Sequence, residues 1–433
     1  MALTRIDLST LASSEGFFIW GVNRSDQLGV RLAGVGDVNG DGVDDYIIGA
    51  HLFDLTVNGN QGAAFLIYGD TNGFAGGVNL AATGLNGIVD GGKGLRLTGA
   101  VSVAEIGIDV DGIGDVNGDG IDDFAIGARK AFSNAGATYV VYGGQNLSTI
   151  DVSTMTTSQG YTITGANAGD FSGRAFDGIG DVNGDGLDDF IIGASGGDAS
   201  GQSDTGIAYV VYGAATRSSF NLANLAPQDG FRLTGDGSNA RLGSDVSAIG
   251  DFNGDGIDDM LLGAPQVQGN FGYSYIIYGT TNATRSDISM SAIRSGNDAS
   301  GFAISGVTGG RIGNAVAGIG DFNGDGLEDV IIGEALYDTS GTTVDAGRVG
   351  ILFGQAGLEG ASARSLLAWG LFGNNLTGFI LTGDGANDRF GIHVAGVGDF
   401  NGDGFDDLLI GSPNLNGAHL VFGAATGWED LNT

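Results

Sequence analysis

The chain has 433 residues, of which 85 are glycine, three are proline and none is cysteine, and its formal net charge is −34 at pH 7. So acidic a chain is excluded from nucleic acid and from anionic membrane surfaces, which both call for basic patches. No apolar run approaches the length of a bilayer-spanning helix, so no membrane insertion is expected, and without cysteine there is no disulfide framework.

The start, Leu3-Thr4-Arg5-Ile6-Asp7, has no apolar h-region of a signal peptide. The sequence therefore reads as a mature or excised domain, or as one exported without an N-terminal signal. Residues 6–12 lead into Gly16-Phe17-Phe18-Ile19-Trp20-Gly21, the first of six similar β-forming stretches. The others are GLRLTG (94–99), GYTITG (160–165), GFRLTG (230–235), GFAISG (301–306) and GFILTG (378–383). After each comes a polar glycine-rich loop and then a strand, such as Val30 to Gly36, that ends on an acidic loop.

The first acidic loop spans 37–45, and it recurs at 115–123, 181–189, 251–259, 321–329 and 399–407. Successive loops start 78, 66, 70, 70 and 78 residues apart, and a fixed period of this kind means a repeat architecture. A strand leaves each loop (Asp45 to Gly49 in the first unit), a variable connection follows, and a strand of the AYVVYG type closes the unit, at 64–69, 138–143, 208–213, 274–279, 349–354 and 418–423. These strands are apolar over several residues, as expected of strands buried on both faces.

Within the loops, position 1 is Asp37, Asp115, Asp181, Asp251, Asp321 and Asp399, and position 3 is Asn39, Asn117, Asn183, Asn253, Asn323 and Asn401. Position 5 is Asp41, Asp119, Asp185, Asp255, Asp325 and Asp403, and position 9 is Asp45, Asp123, Asp189, Asp259, Asp329 and Asp407. Position 7 is apolar throughout (Val43, Ile121, Leu187, Ile257, Leu327, Phe405), which leaves its backbone carbonyl as the ligand. Ca²⁺ takes six to eight oxygens at about 2.3–2.6 Å, and glycine at position 6 permits the sharp turn that wraps an ion. An EF-hand would need a bidentate Glu at position 12, where Ile48 and Ile126 stand instead, and each loop runs straight into β formers. The pattern predicts strand–loop–strand calcium sites, about six per chain. The bland alternative, solvated Asp/Gly turns, fits poorly with six copies that hold the ligand positions while neighbours drift.

Four strand types in six copies predict an all-β chain. It is expected to be a single closed six-bladed propeller of four-stranded antiparallel blades over 1–433. The chain opens on a fourth-type strand (17–20) and closes on a third-type strand, so the N-terminal strand can complete the last blade and remove the open edges. The order of turn, strand, DxNxDGxxD loop, strand and Gly-Ala-Pro-like turn resembles the FG-GAP repeat of integrin alpha subunits and related bacterial proteins. The FG position is Phe390-Gly391 in one unit and Leu28-Gly29, Ile106-Gly107, Leu242-Gly243 or Ile312-Gly313 elsewhere. The GAP position is met in full by Gly263-Ala264-Pro265 and in part by Gly411-Ser412-Pro413. The family's calcium ligands map onto all six loops. Integrin heads have seven such repeats, only some of them calcium-loaded, and contain disulfides. The differences point to a bacterial-type relative.

The resemblance implies a secreted or cell-surface module for adhesion or recognition, free-standing or part of a larger surface protein, with structural rather than catalytic calcium. If each site binds with a dissociation constant on the order of 0.1–1 mM, calcium at roughly 1 mM stabilises the fold by about 0.4–1.4 kcal/mol per site and about 2–9 kcal/mol in all. By resemblance, a protein or glycan ligand would sit on the face of the variable loops, such as His51 to Gly62, Ser195 to Thr205 and Ala335 to Ala346. The competing reading there is ordinary loop drift. Six residues before each loop stand Arg31, Asp109, Ala175, Asp245, Ala315 and His393, expected to line a hydrated central channel. Trp369 is expected to pack beneath its blade. His51, His393 and His419 fall at unrelated repeat positions and suggest no triad. A lectin is the second reading. An enzyme, for which His393, Arg31 and Glu334 are the only hints, is the third.

Overall fold

A computed structural model describes residues 17–54, 60–71, 78–80, 92–99, 104–145, 147–267, 271–282, 284–338, 344–357, 377–383, 385–415 and 417–426. Trp369, residues 6–12 and parts of the variable loops lie outside them. The regular structure of the described residues is almost wholly β, arranged as six main sheets in sequence order beside one two-stranded sheet. In the first sheet, the inner strand Leu32–Gly36 pairs antiparallel with Asp45–Ala50, which pairs with Ala63–Ile67, which pairs with the outer strand Gly94–Thr98. The same up-and-down order recurs in the second to fifth sheets, whose outer strands are Gly160–Thr164, Gly230–Thr234, Gly301–Ser305 and Gly378–Thr382. The sixth sheet has three strands, Val394–Gly398, Asp407–Ser412 and Gly417–Val421.

The middle strands are buried at every residue in most sheets because each sheet is covered on both faces. The cores lie between sheets. Ile113, Val116 and Tyr161 of the second meet Phe176, Phe190 and Ile192 of the third, and Phe252 and Phe302 of the fourth meet Val330 and Ile332 of the fifth. Close approach at one end of each interface depends on paired glycines. A Cβ on Gly49 would lie 2.2 Å from the Gly107 carbonyl oxygen, and one on Gly263 would lie 1.9 Å from that of Gly313. No side chain fits there, which is why glycine recurs in the Ile-Gly-Ala type of turn.

A further short parallel strand, taken from the connection of the next sheet, meets several outer strands. Ile150–Asp151 adds to Gly94–Thr98, Phe220–Asn221 to Gly160–Thr164, and Ile288–Ser289 to Gly230–Thr234. At the N-terminus, Ile19–Trp20 pairs in the same way with Val78–Asn79. The strand expected to complete the last blade therefore pairs with this segment. Among the described residues no ladder joins it to Gly417–Val421.

Candidate metal centres

All six acidic loops sit between an inner strand and its neighbour, and all six adopt one hydrogen-bonded form. The position-1 carboxylate turns back on its own loop. Its Oδ1 accepts the position-5 N–H at 2.9–3.0 Å, and its Oδ2 accepts the position-6 N–H at 2.7–2.9 Å. Position 5 then accepts the position-7 N–H at 3.0–3.1 Å. Glycine at position 6 adopts φ of 84–92° in every copy, a left-handed turn that a side chain would strain.

Position 9 is the buried member. Asp123, Asp189, Asp259, Asp329 and Asp407 are fully buried and Asp45 nearly so. Each uses Oδ1 to accept the N–H of the glycine two residues beyond the third strand (Gly69, Gly143, Gly213, Gly279, Gly354 or Gly423) at 2.7–2.8 Å. The loop is thereby fastened to a strand that sequence spacing alone does not place beside it. Burial first, and then the negative charges at positions 5 and 1, push Asp123, Asp189 and Asp259 up to about 8 and Asp45 up to about 6. Burial is also the main cause at Asp329, pushed up to about 8.

A cation fits this surplus of negative charge. The loops leave acceptors buried without partners: Asp45 Oδ2 at position 9, and Asn183 and Asn253 Oδ1 at position 3. An orphaned buried oxygen costs about 1–3 kcal/mol, which a hard ion would offset. Among the described residues no three His, Cys, Asp or Glu side chains converge as a metal cluster. The donor set must therefore draw on asparagine and backbone oxygens as well as carboxylates. A bound ion would supply charge neutralisation, with positions 1, 3, 5, 7 and 9 holding it.

Position 8 has a role that sequence reading missed. Asp122 Oδ2 accepts the N–H of Asp37 at 3.0 Å, so a carboxylate of the second loop caps the start of the first. Asp188 does the same for Asp115, Asp258 for Asp181 and Asp406 for Asp321, at 2.7–3.2 Å. Each carboxylate lies against the glycine before the loop it caps, and a Cβ on Gly36, Gly114, Gly180 or Gly320 would lie 2.0–2.1 Å from it. Glu328 lies against Gly250 in the same place. The available signal was an acid always at position 8 and a glycine always before position 1.

The inner strands are tied in the other direction. Asp109 accepts from Phe176 N at 3.2 Å, Asp177 from Ala248 N at 2.9 Å and Asp245 from Val316 N at 2.9 Å. Arg31 pairs with Asp109 at 3.3 Å. The expected channel lining is thus, at these positions, a set of ties between sheets. Burial raises Asp109 to about 7 and Asp177 and Asp245 to about 6.

Of the enzyme hints, Arg31 lies near enough to His393 to act on it, while Glu334 is engaged elsewhere. Glu334 is fully buried in an ion pair with Arg348 at 2.5 Å, it accepts the Val307 N–H, and Arg348 lies 3.6 Å over the Tyr337 ring. His51 is buried, His419 packs on Phe390 at 5.2 Å, and burial followed by Arg31 lowers His393. On the loop face, Asn39, Gly40 and Asp41 share a groove of about 900 Å³ with Tyr68, Gln145 and Thr149, so acidic loops and third-to-fourth connections do lie together. No helix among the described residues is long and apolar enough to cross a membrane.

The FG-GAP repeat model matches residues 164–211, 242–277 and 390–426. Integrin alpha pat-2 of Caenorhabditis elegans is 31% identical over 192 residues, covering 43% of this chain and 14% of that protein. Integrin alpha-5 of Xenopus laevis is 28% identical over 190 residues, 42% of this chain and 15% of that protein. Phosphatidylinositol-glycan-specific phospholipase D of Dictyostelium discoideum is 28% identical over 250 residues, 54% of this chain and 24% of that protein. The chain thus spans less than a quarter of each of these relatives. It carries FG-GAP repeats, and through them it is related to integrin alpha chains.

Proposed function

We propose that the chain is a calcium-built propeller module of six blades that serves extracellular adhesion or recognition. Positions 1, 3, 5, 7 and 9 of each loop hold one structural Ca²⁺. The observation that carries this reading is the loop conformation shared by all six copies, with a buried oxygen left without a partner in three of them, at position 9 in Asp45 and at position 3 in Asn183 and Asn253. Catalytic metal sites keep a position open for substrate, whereas these loops are alike around the molecule, so the ions build the scaffold. Similarity to integrin alpha chains supports recognition of a protein or glycan on the variable-loop face. The phospholipase relative supports a non-catalytic part equally well, since the shared region is a minor share of that protein.

The test is a metal count per chain beside a thermal melt with calcium titrated against EGTA. The expected result is about six ions and a large calcium-dependent rise in melting temperature. One or two ions, with little change on chelation, would overturn it.

A further inference from the structure

We propose that an anion pocket lies between the fifth and sixth sheets on the variable-loop face, where Arg311 and Arg389 receive a carboxylate from an acidic peptide segment of a protein partner. This deepens the recognition reading above and does not rest on calcium.

A cavity of about 160 Å³ lies there, lined among others by Arg311, Asn314, Ala335, Leu336, Arg389 and Ile392. Among the described residues neither arginine has a carboxylate partner, although the chain holds 51 acidic side chains against 17 basic ones. The acids nearby are engaged or turned away. Glu334 packs against Gly310, pairs with Arg348 and accepts the Val307 N–H. Asp388 accepts the Gly385 N–H, and Asp345 receives the Arg389 N–H on its backbone carbonyl.

The repeat does not ask for arginine at these places. Gln27, Glu105, Phe171, Arg241, Arg311 and Arg389 are equivalent, each two residues before the glycine of a Leu-Gly or Phe-Gly type of turn, and all adopt a left-handed backbone with φ of 51–59°. Glutamine, glutamate and phenylalanine serve the fold in the first three sheets. In the second sheet Glu105 pairs with Arg129 at 2.7 Å and Lys130 at 2.6 Å, so the charges there are neutralised within the chain. The fifth sheet is the inverse. A cation stands in the place of Glu105, and Ala335 and Leu336 stand in the places of Arg129 and Lys130. Its anion has to come from outside.

The positive charge is not isolated. Arg241 holds the same place in the fourth sheet, with its Nε buried and unpartnered. Desolvation, and then the charges of Arg129, Arg241 and Arg31, lower Arg174. Arginines thus gather at one end of the inner strands, and a carboxylate meets local attraction in a chain whose net charge of −34 repels it elsewhere. A planar carboxylate accepts two N–H bonds from one guanidinium. Leu336 and Ile392 suit the methylene stem of an acidic side chain, whereas no aromatic ring stands among the lining residues to stack on a sugar.

The probe is a tetraglutamate peptide titrated into the full chain at fixed free calcium. Binding is expected to weaken as salt rises. It should fall about tenfold or more in the double variant Arg311→Gln with Arg389→Gln, while Arg232→Gln, on an outer strand and paired with Asp287, leaves it unchanged. Leu336→Glu supplies a carboxylate from within, and is expected to block the peptide while the melting temperature holds or rises. No peptide binding, or binding indifferent to the double variant and to Leu336→Glu, would overturn the inference. Tighter binding of a heparin-derived oligosaccharide through the same arginines would overturn it in favour of a glycan. The metal count and the calcium melt judge the scaffold reading separately.

Discussion

The two faces of the molecule obey different rules. On the loop face, six copies repeat the same hydrogen bonds to within a few tenths of an ångström, although position 7 ranges from Val43 to Phe405. On the opposite face each unit finds its own solution. Glu105 pairs with Arg129 at 2.7 Å and Lys130 at 2.6 Å, Glu334 with Arg348, and Asp170 caps the N–H of Asn167. On the calcium reading proposed above, side chains that serve one spherical ion have little freedom, while side chains that close individual loops need only satisfy their own neighbours.

The largest test of this contrast removes the ion. Chelation is expected to cost about 2–9 kcal/mol in all, seen as a lower melting temperature, with hydrogen-exchange protection lost first around the loops. Breaking the other face at its most buried point should cost less. Glu334→Gln strands the Arg348 charge and is expected to destabilise by about 3–5 kcal/mol in chemical denaturation without changing the metal count. Smaller again is Gly114→Ala. A left-handed backbone and the displaced Asp188 together predict about 1–3 kcal/mol, with calcium affinity reduced in the neighbouring loop as well.

Acidity sharpens the comparison by a few degrees of melting temperature. Asp109, Asp177 and Asp245 are raised in the folded state, chiefly by burial, to about 7, 6 and 6. Folding favours their neutral forms, so their contribution is complete below the unfolded carboxylate range of about 4 and is lost as pH rises through 6 to 7. Metal-free protein should therefore melt higher at pH 5 than at pH 8, and removing these carboxylates should reduce the slope, with the raised position-9 carboxylates supplying the rest. The smallest effect is expected from replacing the exposed tips of variable loops. Changes at exposed Gln202 should stay within about 0.5 kcal/mol, with partner binding as the expected readout.

Much of this was legible in the residues. Spacing within each loop is local chemistry, so the recurring acidic positions and the turn glycine stand out, and apolar runs such as Phe190-Ile191-Ile192 announce strands covered on both sides. What escaped reading joins residues far apart in sequence. Asp188 is an unremarkable acid until Asp115 lies beside it, and Asp109 and Asp245 resemble channel lining until the next sheet's N–H groups are in place. Glu334 stood among the hints of catalysis because nothing local reveals its burial with Arg348.

The carboxylate that five of the loops extend to the one before gives the array a polarity. Each of these five joints has a plug on one side and a matching socket on the other, and the joint does not depend on which repeat supplies either half. Glu328 reaching Gly250 with one extra methylene shows that the joint tolerates a change of length. Whole repeats could therefore be inserted, removed or exchanged at these joints without redesigning their neighbours. A lineage of such proteins could vary its exposed loops one repeat at a time while the frame stays the same.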